Sequence, residues 1–509
     1  MLWKKRLNEK SPDISWSVLR PSDVAEQAKL RAAERPAKPK IAVFITHGMG
    51  QQIPFETLDS AVEGLTKAAA RHGKPVQSVQ ASTVLLEGGI KTQRAEFDMR
   101  DALGRDVEVH VYEGYWAPIT EGKVTLRDVT SFLLRAGWNG LLNCRLQFER
   151  WIFGRAVTFG TQFGATSRLL GLLFVLLSLM VLNAFTTVVA GDKILHKHGD
   201  QSISDAIFGA LTSTVAIYLL ASLVIGGALA LLMFSKRWIK QPSKSIWWRA
   251  ITWAMSLMIS GWALLTVISA IMLVLVATGC IESDCLNFLP VGGYWYLGIW
   301  GVLFAASWYI RKLFVQYMGD VAVYVDSHTL DRFDDMRKRI KARVFDLAKA
   351  VYSDPQYEHV ALVGHSLGSV ITYDTLNALI NHDELNGKIL DAAKRTKLML
   401  TFGSPLDKTA FIFAAQIDTT TETREALAAT LQPLIQEYVP YRDVKWINIH
   451  SPRDIISGAL DFYDDPKAKD FSDGRKVHNI VDEDSMIPLV AHTEYWNNAK
   501  VFDALYLNL

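Results

Sequence analysis

The sequence predicts an α/β protein, a mostly parallel sheet flanked by helices, that is interrupted by four membrane-spanning helices. Short runs rich in β-branched and apolar residues, such as residues 41–46 and 359–363, end at glycine-containing turns, which is typical of buried parallel strands. Between these two runs lie four long apolar stretches, at residues 169–190, 207–234, 250–278 and 293–310. We therefore expect the sheet to be assembled from two parts of the chain that flank a segment in lipid.

The four apolar stretches are each near or above the roughly 20 residues that a helix needs to span a bilayer. None of them contains Asp, Glu, Lys, Arg or His, and half of the whole chain is hydrophobic. Buried helices of a soluble domain are the alternative, but four uncharged stretches in succession favour a membrane. Because proton relays and ion pathways need ionisable groups inside the membrane, we expect the helices to anchor the protein or to present substrate.

Charges in the connecting loops predict an orientation. The loop between the second and third stretches, residues 235–249, contains Lys and Arg but no acidic residue, and Arg311 and Lys312 follow the fourth stretch. The loop after the third stretch carries Glu282 and Asp284. The positive-inside rule then places both termini in the cytoplasm. We expect a multi-pass protein of the cell (inner) membrane whose α/β domain lies on the cytoplasmic side.

The chain divides into five predicted segments. An N-terminal arm, residues 1–39, precedes the first part of the α/β domain, residues 40–125. Residues 126–167 alternate bulky apolar side chains with arginines, which favours an amphipathic helical segment at the membrane interface, although a helix of the domain core fits the pattern equally well. The transmembrane domain covers residues 168–317, and the second part of the α/β domain covers residues 318–509.

The composition narrows the partners and cofactors. The chain has 54 basic and 52 acidic residues, a formal net charge of +2, and no basic run or RNA-binding signature, so nucleic acid is not an expected partner. Three cysteines cannot form a disulfide framework, and no Cys/His cluster has metal-ligand spacing. We expect neither a metal nor an organic cofactor.

A candidate nucleophile follows the second β-rich run. That run leads into the sequence Gly364-His-Ser366-Leu-Gly368, and a helix-compatible segment, residues 369–380, comes next. A strand, the pattern Gly-x-Ser-x-Gly and a helix together favour a nucleophile elbow, a sharp turn that exposes the serine beside a helix N-terminus. A side chain at either glycine would crowd the neighbouring strand or helix. Ser366 is thus the candidate nucleophile, and an ordinary turn serine is the alternative.

A serine hydroxyl is a poor nucleophile until a base removes its proton. His492, which comes late in the chain after a possible strand at residues 476–481, is the candidate base, and His478 is its rival. Asp454, which follows the β-rich run at residues 444–449, is the candidate acid that would fix the tautomer of the imidazole. Asp407 follows an earlier β-rich run at residues 397–402 and stays open as the alternative acid.

These pieces resemble the lipase-like branch of the α/β-hydrolase superfamily over about residues 40–118 and 318–500. The matching features are the strand-linked His-Gly at residue 47, the elbow, the Phe-Gly-Ser-Pro at residue 402, and the order Ser, Asp, His with each residue after a strand. The resemblance implies an α/β-hydrolase fold that carries the four-helix transmembrane segment as an insertion. It leaves the number and order of strands in the N-terminal half open.

The resemblance also implies an oxyanion hole. Negative charge that develops on the substrate oxygen needs preorganised donors, and the backbone N–H of Leu367, directly after the candidate nucleophile, is one. The family's oxyanion loop points to the backbone N–H of Met49 as the second. Glu113, at the end of a β-rich run, either lines the site or only ends a strand. Five further residues are expected to support the motifs: His47, Gly48, Gly364, His365 and Gly368.

The expected function is that of a membrane-anchored serine hydrolase that cleaves carboxylic esters through an acyl-enzyme. Its expected partners are the lipid bilayer and an ester substrate that is a lipid or lipid-like. Since the same fold and triad serve thioesterases and acyltransferases, such an activity on a cytoplasmic substrate is an alternative. A non-catalytic membrane scaffold is a second alternative, although a scaffold has no physical need for the serine, the base, the acid and the glycines together.

Overall fold

The computed structural model describes residues 14–19, 38–50, 52–132, 134, 147–152, 155–160, 315, 318–325, 331–407, 409, 444–454, 456–464, 476–484 and 491–509. The four predicted membrane spans, at residues 169–190, 207–234, 250–278 and 293–310, lie outside these residues. Within the described part of the chain, no helix is both long and apolar enough to cross a membrane. The chain forms two units, of which the first is Met1–Val124 with Arg145–Thr161 and Asp320–Leu509, and the second is Thr125–Cys144 with Gln162–Gly319.

Nine of the described strands form one mixed sheet in the order β1-β3-β4-β5-β2-β8-β9-β10-β11, and the other two form a separate hairpin. Strand β4 runs antiparallel to both of its neighbours, whereas the other eight strands of the large sheet share one direction. The bounds are β1 Ser15–Leu19, β2 Lys40–Thr46, β3 Ser78–Leu86, β4 Ile90–Arg100, β5 Asp106–Gly114, β6 Gln147–Ile152, β7 Arg155–Gly160, β8 Tyr357–His365, β9 Thr396–Phe402, β10 Lys445–His450 and β11 His478–Val481.

Helices cover both faces of the large sheet. Their bounds are α1 Glu56–Arg71, α2 Asp331–Ser353, α3 Leu367–Asn386, α4 Ala392–Arg395, α5 Ala491–Glu494 and α6 Ala499–Tyr506. Helices α1 and α6 pack on one face in a core that includes Val43, Val363 and Phe502. Helix α3 packs against β8 and β2 together with α2. Successive side chains of a strand point to opposite faces of the sheet, and both faces are covered by helices. Strands such as β2 are therefore buried along nearly their whole length.

The predicted strands at residues 41–46, 359–363, 397–402, 444–449 and 476–481 are confirmed as β2, β8, β9, β10 and β11. The predicted helix after Gly368 is confirmed as part of α3. The mostly parallel α/β sheet with flanking helices is therefore confirmed. The predicted N-terminal arm contains an unexpected element, because Ser15–Leu19 forms edge strand β1 and pairs with β3.

The predicted amphipathic helical segment at residues 126–167 is wrong over part of its length. Residues 126–132 are helical, but Gln147–Ile152 and Arg155–Gly160 form an antiparallel pair. The physical reason is local. Strands β6 and β7 are rich in aromatic and β-branched residues, and only Phe153 and Gly154 lie between them, a two-residue connection that favours a hairpin.

Parallel pairing brings the carboxyl ends of six adjacent strands to one edge of the sheet, those of β5, β2, β8, β9, β10 and β11. Strand β2 lies between β5 and β8, with Thr46 opposite both Gly114 and Gly364. Strands β9 and β10 continue the parallel order next to β8. In open α/β sheets, ligands bind outside the carboxyl ends of the strands. Met49, Ser366 and Asp454 lie directly after β2, β8 and β10, and His492 comes after β11.

Candidate active site

Ser366 lies in the sharp turn between β8 and α3. Its backbone has φ 53° and ψ −130°, a conformation that a residue with a side chain rarely adopts. The glycines on either side permit the turn. A Cβ on Gly364 would lie 2.6 Å from Ser369 Cα, and a Cβ on Gly368 would clash with the carbonyl oxygen of Thr46. The strand, strained serine and helix have the local geometry that is expected of a nucleophile elbow.

The hydroxyl of Ser366 contacts the imidazole of His492. The distance from Ser366 Oγ to His492 Nε2 is 2.7 Å, and both side chains are buried, with Ser366 only 1% exposed. His492 lies in α5, 126 residues along the chain from Ser366. The second ring nitrogen, Nδ1, donates to Asp454 Oδ2 over 2.9 Å, which leaves Nε2 free to accept the Ser366 proton.

Asp454 is held as a buried carboxylate. Burial by itself would raise the pKa of Asp454, but the charge and hydrogen bond of His492, with the backbone N–H of Ile456, hold this pKa well below its ordinary value. Asp454 is therefore ionised at neutral pH and can stabilise an imidazolium on His492.

Tyr495 is a site residue that the sequence did not reveal. Its hydroxyl donates to Asp454 Oδ2 over 3.0 Å and accepts the backbone N–H of Ser451 over 2.7 Å. Burial raises the pKa of Tyr495 well above its ordinary value, so the phenol stays neutral and keeps its proton for Asp454. Its position three residues after His492, which puts both side chains on one side of a helical turn, was the available signal.

The two alternative residues lie elsewhere. The carboxylate that bonds His492 is that of Asp454, whereas Asp407 lies against Gly458, where it would clash with an added Cβ. His478 begins β11 opposite Ile447, before the carboxyl edge of the sheet. The geometry therefore favours Asp454 and His492 over Asp407 and His478.

The loop after β2 passes directly over the candidate nucleophile. A Cβ on Gly48 would lie 2.8 Å from Ser366 Cβ and 3.0 Å from His365 Nδ1, so only glycine fits there. The next residue is Met49. Leu367 is the first residue of α3, and the first N–H groups of a helix have no partner within it. Met49 and Leu367 thus stand on the two segments that border Ser366, as an oxyanion hole requires.

His47 holds this loop in place. The backbone N–H of Trp116 donates to His47 Nε2 over 3.0 Å, so the ring proton lies on Nδ1, which donates to the carbonyl of Gly48 over 2.8 Å. The ring also stacks on the indole of Trp116, with centroids 4.7 Å apart. Burial lowers the pKa of His47 to about 4, so the ring is neutral at neutral pH. His47 therefore has the geometry of a support rather than of a base.

His365 supports the base itself. Its Nε2 donates to the backbone carbonyl of His492 over 3.0 Å, and its ring stacks on Phe402. Burial, and next the charge of His492, lower the pKa of His365 to about 3. A histidine that stays neutral through the working range cannot compete for the proton of Ser366, and its hydrogen bond fixes the backbone that carries His492.

Glu113 contacts the residue that precedes α1. Glu113 Oε2 accepts the backbone N–H of Phe55 over 2.9 Å, and Phe55 has φ 72°, in the left-handed region. Burial raises the pKa of Glu113 to about 7. Glu113 thus anchors the residue that precedes α1, which supports the interpretation that it ends a strand rather than acting on substrate.

A second polar cluster lies away from Ser366. The side chains of Glu96, Glu108 and His110 bring potential metal-ligand atoms within 4.8 Å of one another. They are already paired: Arg94 donates to Glu96 Oε1 over 2.9 Å, and His110 Nε2 bonds Glu108 Oε1 over 2.8 Å. Because the guanidinium of Arg94 already supplies the positive charge, we interpret the cluster as a buried hydrogen-bond network within the sheet.

Comparisons of the chain with protein-family models, with curated proteins and with solved structures return no match. The functional assignment therefore depends on the geometry of the site. Within the described residues, that geometry joins Ser366, His492 and Asp454 in one chain of hydrogen bonds, with Tyr495 on the acid and His365 on the backbone of the base.

Proposed function

We propose that the protein is a serine hydrolase that cleaves carboxylic esters through an acyl-enzyme. The observation that carries this proposal is the hydrogen-bond chain from Ser366 Oγ to His492 Nε2, 2.7 Å, and from His492 Nδ1 to Asp454 Oδ2, 2.9 Å. A serine, an imidazole and a carboxylate in this order activate the serine hydroxyl for attack on a carbonyl. The strained backbone of Ser366 gives further support, since such strain is common at active sites.

The proposed reaction has two steps. Ser366 Oγ attacks the ester carbonyl carbon while His492 Nε2 takes the hydroxyl proton, and Asp454 stabilises the resulting imidazolium. The backbone N–H groups of Met49 and Leu367 stabilise the negative charge on the carbonyl oxygen. His492 then gives the proton to the leaving alcohol, which departs and leaves an acyl group on Ser366. In the second step His492 takes a proton from water as the water attacks the acyl carbonyl. It then returns this proton to Ser366 Oγ as the bond between Oγ and the acyl carbon breaks, and the acid product leaves.

We infer that this domain is of the α/β-hydrolase type. Support comes from the elbow after β8 at the centre of the sheet, and from the order Ser366, Asp454, His492, in which the residues follow β8, β10 and β11. The N-terminal half has a feature of its own, because strands β3 and β4 form an antiparallel pair inserted in sequence between β2 and β5.

The inferred substrate is a lipid or lipid-like ester at the cytoplasmic face of the cell membrane. This inference rests on the sequence, namely the four uncharged apolar stretches and the basic loop at residues 235–249. An enzyme that is tethered to a bilayer meets lipid at a high local concentration. A thioester or an acyl acceptor other than water would use the same triad, so the reaction class is the firmer part of the proposal.

The experiment is labelling of the full chain with a fluorophosphonate probe, combined with hydrolysis of a short soluble ester. Wild-type protein is expected to be labelled and active, and Ser366→Ala should lose both, with a loss of activity of orders of magnitude. The matched control is Ser369→Ala. Among the described residues, the buried hydroxyl of Ser369 forms its hydrogen bond with the carbonyl of Gly364. Equal labelling of Ser366→Ala and wild type would contradict the proposal. A folded wild-type protein that is neither labelled nor active would favour a non-catalytic scaffold.

A further inference from the structure

A buried carboxylate contacts the loop that carries Met49. Asp320 lies in a helical segment, residues 318–325, that follows the predicted transmembrane domain in the sequence. Its Oδ2 accepts the backbone N–H of Gly50 over 2.8 Å, a contact between residues 270 positions apart. Asp320 is only 7% exposed. Gly50 directly follows Met49, the proposed oxyanion donor.

The contact has a specific consequence for the proposed oxyanion loop, which we define as residues 47–50. The N–H of Gly50 belongs to the Met49–Gly50 peptide, and only the two backbone torsions of Met49 separate this peptide from the one that carries the Met49 N–H. When the N–H of Gly50 is held in one direction, the direction of the Met49 N–H is therefore restricted as well. Gly50 has φ 94°, a conformation in which glycine is favoured. Because glycine also adopts many other backbone conformations, its local preference alone does not fix the shape of the loop.

The loop is held on its other side by His47, whose ring accepts the backbone N–H of Trp116. Between His47 and Gly50 lie Gly48, which approaches Ser366, and Met49. The two anchors thus bracket the part of the loop that borders the nucleophile. Burial raises the pKa of Asp320 to about 6, whereas the Gly50 N–H and the Thr120 hydroxyl favour its ionised form. An ionised acceptor makes a shorter and stronger hydrogen bond to a backbone N–H than a neutral one does.

We propose that Asp320 is a positioning residue for the ester hydrolysis, and that it fixes the oxyanion loop through the N–H of Gly50. This inference rests on the proposed function, because residues 47–50 form an oxyanion loop only if Ser366 is the nucleophile. Asp320 does not contact the reacting atoms. It acts on the direction of the Met49 N–H, so its effect appears in the step in which negative charge develops on the substrate oxygen.

The test compares variants of Asp320 in the full chain, solubilised in detergent, with a short soluble ester as substrate. Asp320→Leu keeps the branched shape of the side chain but removes the acceptor, and we expect kcat to fall by about 10- to 100-fold with KM changed by less than about 3-fold, since an oxyanion donor acts mainly on the transition state. Asp320→Asn retains a side-chain oxygen that accepts from Gly50, and should recover most of the lost kcat.

The matched control is Asp383→Asn. Asp383 is also a buried carboxylate that accepts backbone N–H groups, those of Leu390 and Ala392, but it lies near the end of α3 that is remote from Ser366. This control is expected to keep the wild-type kcat. Titration of each sample with the fluorophosphonate probe gives the fraction of competent sites, so kcat is referred to folded enzyme only.

Two failures are distinguishable. If Ser366→Ala is as active as wild type, the proposed function is wrong and the role of Asp320 falls with it. If Ser366→Ala is inactive but a folded Asp320→Leu has the wild-type kcat, the proposed function stands and the inference about Asp320 is overturned. Should Asp320→Leu not fold, Asp320→Ala, which also lacks the acceptor, is measured in its place against the same expectation.

Discussion

The phenol of Tyr495 donates its hydrogen bond to Asp454 Oδ2, the same oxygen that accepts from the imidazole of His492. Asp454 Oδ2 thus accepts two hydrogen bonds, and Asp454 Oδ1 accepts a third from the backbone N–H of Ile456. These three donors replace the water molecules that a carboxylate loses when it is buried. They also define where the carboxylate points. Tyr495 therefore positions the acid of the proposed triad, and Ser451 and Ser457 in turn contact the phenol.

Replacement of Tyr495 by Phe should lower kcat for a short soluble ester by about 10-fold, since a hydrogen bond to a charged group contributes roughly 1.5–3 kcal/mol. The apparent KM should change less, because the phenol is directed at Asp454 rather than at substrate. Steady-state kinetics, referred to the probe-labelled fraction, provides the measurement. The control is Tyr463→Phe, a buried tyrosine whose hydroxyl bonds the carbonyl of Leu406. Equal kcat for wild type and Tyr495→Phe would mean that Asp454 keeps its position without the phenol.

The variants Asp454→Asn and Asp407→Asn distinguish between the two residues that the sequence offers as the acid of the proposed triad. Asparagine at residue 454 has an amide NH2 group that donates a hydrogen bond where one carboxylate oxygen accepted one. The imidazole tautomer without a proton on His492 Nδ1 is then favoured, so kcat should fall by roughly 10³- to 10⁴-fold. Asp407→Asn should stay within a few-fold of wild type. Hydrolysis of the same ester by both variants measures this directly. A larger loss for Asp407→Asn would identify Asp407 as the acid.

The candidate site was predictable from the sequence where it depends on local patterns. Ser366 lies within a glycine-bracketed turn between an apolar strand and a helix, and each of these features is readable within a short window. Asp454 was harder, because Asp407 also follows a buried strand, and only the path of the chain decides which carboxylate reaches His492. The contact of Asp320 with Gly50 joins residues 270 positions apart and leaves no pattern in the sequence.

The fold shows the same division. The buried parallel strands β2 and β8 to β10 were predictable because helices cover them on both faces, so each contains a run that is mostly apolar, such as residues 41–45 and 360–363. Strand β3 mixes uncharged polar residues with apolar ones, and β4 mixes charged residues with apolar ones, of which the buried Glu96 is paired within a polar network. Their side chains therefore give no clean period. Likewise the arginines of β6 and β7 suggested a membrane-facing helix where the backbone forms a hairpin.

The buried neutral histidine of the oxyanion loop predicts a loss of stability in acid. In the folded protein the pKa of His47 is lowered to about 4, whereas a histidine in an unfolded chain has a pKa of about 6.5. At a pH between these two values, the unfolded chain therefore binds a proton at His47 that the folded chain does not. Stability contributed by the neutral ring is thus present above about pH 6.5 and is lost as the pH falls towards about 4. Between pH 7 and pH 5 this amounts to about 2 kcal/mol in the free energy of unfolding.

The measurement is denaturant unfolding of the full chain in detergent at pH 8, 7 and 5. His47→Gln removes the titrating group, so the loss of stability between pH 7 and pH 5 should be about 2 kcal/mol smaller than in wild type. The interval from pH 8 to pH 7 is the internal control, since neither form of His47 titrates appreciably there. If the variant and wild type lose the same stability by pH 5, His47 is not held as a neutral ring.

The charge pattern of the loops predicts which cysteines are accessible from outside the cell. Cys280 and Cys285 flank the acidic loop after the third apolar stretch, which the positive-inside rule puts outside, whereas Cys144 precedes the first stretch and is placed inside. The chain has three cysteines in all, so each class can be removed without introducing new ones. An impermeant maleimide, added to intact cells after mild reduction, should label Cys144→Ser protein.

A double variant, Cys280→Ser with Cys285→Ser, retains Cys144 alone and serves as the matched sample. It should be labelled only after the membrane is permeabilised, because the positive-inside rule places its thiol in the cytoplasm. Reduction matters since Cys280 and Cys285 can pair if they meet an oxidising compartment, and paired sulfurs do not react with maleimide. Labelling of Cys144 in intact cells, with no labelling of the loop pair, would reverse the orientation. The α/β domain and Ser366 would then face outside, and the ester substrate would have to be sought there.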